Sequence, residues 1–219
     1  MHKTLLVLAG LALAAPAAMA DDDAAGYLAR VPAAPATLAE ALKSCEDTGP
    51  WDSFGRRIDF SSRQYSQQAL QSQMAITPMD MDERPALMDY ASKATPAAHD
   101  PQLLLKGPFV QGLPPFTRPA QPGVDAASDK KIYAALEAWV KQAHAWWTGQ
   151  AGKVKAAVQP PAPFKPKHAE DQALVAGAAA QVAADRLPLV KQLADASGQI
   201  CETVRENLPP RYLPGGGTR

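Results

Sequence analysis

The chain has 219 residues, with 22 basic and 22 acidic side chains and four histidines, so its formal charge is zero. A balanced charge disfavours nucleic acid as a partner, because neutralising phosphates needs a basic surplus on one face, and it leaves no polybasic patch for a membrane surface. The length allows a real hydrophobic core, while two cysteines exclude a disulfide-dense miniature scaffold.

Residues 1–20 read as a secretory signal. His2-Lys3 supplies the basic start, Leu5 to Ala15 a short apolar core, and Ala18-Met19-Ala20 a small-residue cleavage site before Asp21. The apolar run is short for a transmembrane helix, and no later stretch reaches the ~20 apolar residues a span needs. After cleavage the expectation is a periplasmic or secreted protein without a membrane span. Residues 21–35 are acidic and rich in Ala and Pro, which suggests a flexible lead-in. The helical domain is expected over 36–208 and a disordered tail over 209–219.

Thr37-Leu38-Ala39-Glu40 has the form of a capping box, in which threonine and glutamate satisfy each other's backbone N–H groups. It opens a helix carrying Leu38, Leu42 and Cys45. Gly49-Pro50 reads as its stop, with a loop over Trp51 to Asp59. Ser61-Ser62-Arg63-Gln64 offers a second cap for a helix through Tyr65, Ala69 and Met74. Pro78 closes that helix, and Asp82 can start another that carries Leu87, Tyr90, Ala91 and Ala94 before Pro96. Residues 97–123 hold six prolines, yet also Leu103-Leu104-Leu105, Phe109, Leu113 and Phe116. An unfolded linker would be poorer in apolar residues, so this stretch is expected to be a loop strapped across the bundle.

The last third predicts a helical hairpin. Asp125 or Ser128 can cap the first arm. Ile132, Leu136, Trp139, Ala143 and Trp146 then recur at three- and four-residue steps, with Tyr133, Val140 and Trp147 widening the stripe to roughly 140°. Gly149 and Gly152 weaken this arm by about 1 kcal/mol each relative to alanine. Pro160, Pro161, Pro163 and Pro166 make a stiff bend. The second arm runs from near His168 to Leu208. It begins with small residues that would let a neighbour approach closely, is interrupted at Pro188, and continues with Leu189, Leu193, Ile200 and Val204 on one stripe. Convincing strand patterns are missing from the sequence. The expected fold is all-α, a single-domain helical bundle organised on this C-terminal hairpin with the proline-rich loop across it.

Cys45 and Cys201 both fall on or beside apolar stripes. An even count in an exported chain predicts a bridge between them, closing a loop of more than 150 residues. Without Cys-x-x-Cys or a His/Cys cluster, redox or metal roles have no support, and no cofactor or metal is expected.

Chemical motifs are sparse. Gly149-Gln150-Ala151-Gly152-Lys153 lacks phosphate-loop spacing, and there is no Gly-x-Ser-x-Gly elbow. His144 sits at the edge of the first arm's apolar stripe, two turns from Glu137. Paired with Glu137 or Glu170 it would be the base of an exported hydrolase or lyase. The favoured expectation is a non-enzymatic protein-binding module, such as an inhibitor or immunity protein or an envelope assembly accessory. Its partner contacts would be Trp146, Trp147, Phe109, Phe116 and Phe164, since exposed aromatics near proline-rich chain make good hot spots. Carriage of a small apolar ligand between the long helices is a third option.

Overall fold

The computed structural model describes residues 23–46, 49–73, 83–94, 112–120, 125–159 and 164–212. The expected signal, Phe109 with the first part of the strap, Pro160 to Pro163 and residues 213–219 lie outside them. Among the described residues six α-helices occur in chain order: α1 (Ala24–Arg30), α2 (Leu38–Ser44), α3 (Gly49–Gln73), α4 (Glu83–Ala94), α5 (Ala126–Ala157) and α6 (Gln172–Asn207). Short 3₁₀ turns occupy Ala169–Asp171 and Pro210–Tyr212. No strand occurs among the described residues, and the fold is all-α.

Several starts form as their side chains dictate. In α2, Glu40 N–H donates to Thr37 Oγ1 at 3.1 Å and Ala36 N–H donates to Glu40 Oε2 at 2.9 Å. That capping pair satisfies donors that a helix start leaves orphaned. Asp125 accepts from Ser128 N–H at 2.6 Å at the start of α5, and this bond is the main reason its carboxyl titrates below the usual range. Thirty-two residues then run unbroken through Gly149 and Gly152, because Trp147, Val154 and Val158 are buried on either side of the weak points. α6 likewise continues through Pro188. An interior proline costs roughly 3 kcal/mol. Complete burial of Leu187, Leu189, Val190 and Leu193 around it offsets that cost.

The largest departure from expectation is α3. Trp51 to Asp59 is helix, not loop. Gly49-Pro50 does not stop α2, which ends at Ser44; it forms the first turn of α3, where proline's missing N–H would be unbonded anyway. Trp51, Phe54, Ile58, Ser61, Tyr65 and Ala69 then form one buried stripe at three- and four-residue steps.

That stripe covers α6. From Ala180 to Val204 α6 is buried on almost every side, and α3 is its most extensive neighbour, ahead of α5, with smaller contacts from α4, α1 and α2. The two helices run antiparallel: Trp51 meets Gly198, Gly55 meets Lys191 and Ser72 meets Gly177. α5 packs on another flank, where Trp147 Nε1–H donates to the Leu193 carbonyl at 2.9 Å. The hairpin arms therefore exist and pack, while the deeper pairing joins α6 to a helix far earlier in the chain.

The expected flexible ends are partly structured. α1 occupies the lead-in. Its Tyr27 is buried edge-on against Phe54, with the hydroxyl 2.9 Å from Ser61 Oγ and donating to the Arg57 carbonyl at 3.2 Å. At the other end, Tyr212 packs against Tyr133 with the two rings tilted at 39° and Arg211 pairs with buried Asp129 at 3.4 Å. The described part of the strap lies on α5. Trp139 Nε1–H donates to the Pro114 carbonyl at 2.7 Å, and Phe116 packs edge-on to Trp139.

Cys45 and Cys201 form a disulfide, with Cα atoms 5.1 Å apart and both side chains buried. It ties the end of α2 to α6 across 156 residues, and it is compatible with an extracellular location. Replacing both cysteines by alanine is expected to lower unfolding free energy by about 5 kcal/mol through the freed chain entropy of so long a loop, measured by denaturant titration against the oxidised protein.

A glycine pair tests the helix packing. A Cβ at Gly177 would sit 2.3 Å from Ser72 Cβ, whereas one at Gly152 would meet nothing within 4 Å. Gly177→Ala should therefore destabilise by about 1–3 kcal/mol, through forced separation of α3 and α6. Gly152→Ala should stabilise by about 0.5–1 kcal/mol, through helix propensity. Thermal unfolding of the two variants should shift in opposite directions.

Candidate functional site: a groove between two helices

The buried stripe of α3 leaves a polar flank beside it. Asp52, Gly55, Arg56 and Asp59 recur at three- and four-residue steps and so share one edge of the helix. On α6, Lys191, Asp195, Gly198, Gln199 and Glu202 do the same. Antiparallel packing brings the two edges together as the walls of an open groove of about 380 Å³. Trp51, Gly55 and Gly198 lie between them. Trp51 is held in place by its indole N–H, which donates to Ser197 Oγ at 3.2 Å.

Charge is unevenly distributed along the groove. At one end Lys191 Nζ lies 3.2 Å from Asp59 Oδ2. Asp195 stands one turn along from Lys191, and Asp52 and Glu202 also line the groove; none of these three forms an ion pair among the described residues. Arg56 also lines the groove, and its Nη2 donates to Ser53 Oγ on the outer side of α3. Desolvation by the surrounding walls pushes the Asp195 carboxyl above the ordinary range. Lys191 opposes that shift, and the like charges of Asp59 and Asp52 add to it.

A second, apolar hollow of about 100 Å³ borders the disulfide, lined by Ala41, Leu42, Cys45, Val204 and Leu208, with Glu46 and Arg205 beside them. Buried polar groups gather around the first half of α6. Glu83 accepts from Lys167 N–H at 2.8 Å, Asp171 is fully buried just before the helix, and Arg186 is buried at its middle. Burial lowers the Arg186 pKa and raises that of neighbouring Asp185, against a hydrogen bond from Gln181. Among the described residues no three potential metal ligands converge.

The residues singled out from sequence do not converge on one place. His144 is half-buried, with Nδ1 2.9 Å from the Ala34 carbonyl and Nε2 3.4 Å from Thr148 Oγ1. Glu137 pairs instead with Lys141 at 3.5 Å, and Glu170 is exposed on the turn before α6. His144 lines neither the groove nor the apolar hollow. Trp147 belongs to the core rather than the surface, since it shares the buried face of Leu136, Val140 and Ala143 and spends its N–H on Leu193. Trp146 is partly buried against the core and Phe116 is engaged with Trp139. Phe164 packs against Tyr90, with ring centroids 5.9 Å apart. Sequence reasoning misses the groove residues because Trp51 to Asp59 reads as a loop. The stripe Trp51, Phe54, Ile58 is the signal that places Asp52, Arg56 and Asp59 on one helix edge.

Comparison with known proteins returned no matching family model, no matching curated protein and no matching solved structure.

Asp195 gives the groove a pH signature. A carboxyl whose folded pKa is raised takes up protons on folding between its unfolded pKa, 3.8, and its folded value. Its contribution to stability is fully present below pH 3.8 and is lost as pH rises through the folded value. Asp195→Asn and the native protein should therefore unfold at the same denaturant midpoint in strong acid. The variant should become the more stable of the two toward neutral pH, as read from midpoints across a pH series.

Proposed function

We propose that this protein is an exported, non-enzymatic binding module that captures another protein in the groove between α3 and α6. The observation that carries this reading is the groove itself, a lined and open cleft on a disulfide-tied helical body. Walls on two well-packed helices present their side chains with little reorganisation on binding, which lowers the entropic cost of association. The basic, apolar and small-residue pattern of residues 1–20 supports export, and so does the Cys45–Cys201 bridge. An inhibitor, an immunity protein and an assembly accessory would all use such a surface.

The test uses the oxidised full-length chain with a photo-crosslinking residue at Gln199 in the groove or at exposed Glu137 on α5. Each is irradiated in envelope and culture-supernatant fractions of the native host, and adducts are identified by mass spectrometry. One stoichiometric protein adduct from Gln199 and none from Glu137 is the expected result. Equal adducts from both positions, or none from either, contradicts the proposal.

A further inference from the structure

We infer that Arg186 on α6 is the seat for the chain's own acidic segment Asp21–Asp22, so that cleavage after Ala20 frees the residues that complete the packing of α1 on α6. The inference rests on the export half of the proposed function and not on the groove. Arg186 is 6 % exposed, and its Nε–H has no hydrogen-bond partner among the described residues. A buried cation is costly unless it is paired and hydrogen-bonded. Desolvation works against this guanidinium first, while Tyr90 on α4 and Asp23 at the start of α1 act in its favour. Tyr90 offers a phenol, not a carboxylate. Asp23 is the capping residue of α1, and its Oδ1 already accepts from Gly26 N–H at 2.7 Å. It forms no ion pair with Arg186. Asp185, next in the chain, is engaged elsewhere and accepts from Gln181 at 2.9 Å. The guanidinium thus lacks a direct acceptor, yet it lies within the field of the residue that starts α1.

Position selects the occupant. Ala24 and Tyr27 are buried and α1 packs on α6, so the chain enters the molecule beside this helix. Asp21 and Asp22 lie outside the described residues and immediately precede Asp23. Two residues of extended chain reach about 7 Å, and an aspartate side chain adds to that span. A carboxylate also matches the fork of a guanidinium, which holds it through paired N–H donors. Cleavage creates an α-amino group with a single positive charge, so the two carboxylates leave the segment net negative. In the uncleaved chain the same residues join directly to the signal. A signal engaged with the membrane holds them away from the folded body. Removal of the signal is then the step that closes α1 onto α6.

The experiment follows the Arg186 Nε–H by NMR in the oxidised protein recovered after export, once intact mass has located its N-terminus. Hydrogen exchange at that N–H should be at least about tenfold faster in Asp21→Asn with Asp22→Asn than in the native protein. The Tyr27 and Leu28 amides of α1 should exchange faster with it. The surface control Glu137→Gln with Glu170→Gln should change either reading by less than about twofold. In an Arg186→Gln background the two asparagines should add less than about twofold to α1 exchange, because the pair is already broken. Unchanged exchange at Arg186 Nε in the asparagine variant, or equal effects of the asparagines with and without Arg186, would overturn the inference. So would protection that requires phosphate in the buffer, which assigns the seat to a free anion. The Nε–H reading leaves Arg186 in place, so it decides the matter even where Arg186→Gln folds poorly. If intact mass shows no cleavage after Ala20, the export reading falls and the inference with it. Cleavage there, with an Arg186 N–H insensitive to the two aspartates, removes the inference alone.

Discussion

A helix that is apolar on nearly every side has to be covered on nearly every side. α6 sets that requirement. Leu187, Leu189, Val190, Leu193, Ile200 and Cys201 are all shielded from solvent, and they point in different directions around one axis. A two-helix hairpin covers only one flank of such a helix. α3 supplies the next, lying antiparallel along α6 and close enough that Ser72 occupies the space a side chain at Gly177 would take. α1, α2 and α4 are short because they have less left to cover, and the disulfide fastens α2 to the same helix.

The groove is a product of the same packing. Two helices that meet along buried stripes leave their polar edges facing each other across the seam. An ion pair between Lys191 and Asp59 crosses that seam. Beside Gly55 and Gly198 the groove is lined by Asp52, Asp59, Asp195 and Glu202 together with Arg56 and Lys191. Desolvation raises the Asp195 pKa first, Lys191 opposes it, and Asp59 and Asp52 add to it. The surface thus owes its shape to the core and its charge to the residues one step outside the core stripe.

Much of this was legible in the sequence. The capping pair Thr37–Glu40, the Asp125 cap, the stripe from Ile132 to Trp147 and the cysteine pair all rest on local rules, and the structure shows each of them. Local rules failed where one residue type serves two purposes. Gly49-Pro50, read as a stop, sits in the first turn of α3, and α2 has already ended at Ser44, so an apparent stop signal concealed a start. Acidic, alanine-rich lead-in sequence concealed α1, because what orders it is Tyr27 reaching Phe54 and Ser61. Sequence neighbours made the C-terminal hairpin look like the organising pair. The α3–α6 pairing depends on contacts between residues far apart in the chain, such as Trp51 and Ser197, which no periodicity reports. The groove was invisible for that reason, since each wall alone is an ordinary solvated helix edge. Trp147 was misjudged differently: two adjacent tryptophans cannot share one face, and sequence alone did not say which turned inward.

The central claim is that α3 and α6 form the most stable unit of the molecule, with α5 added to it. Native-state hydrogen exchange measured residue by residue tests this directly, because it ranks segments by the free energy needed to open them. The account predicts that the slowest amides fall in α3 from Phe54 to Ala69 and in α6 from Val182 to Val204, and that they exchange together in one opening event. Slow exchange shared by α5 and α6 while α3 exchanges rapidly would contradict it, and the groove between α3 and α6 would lose its foundation with it.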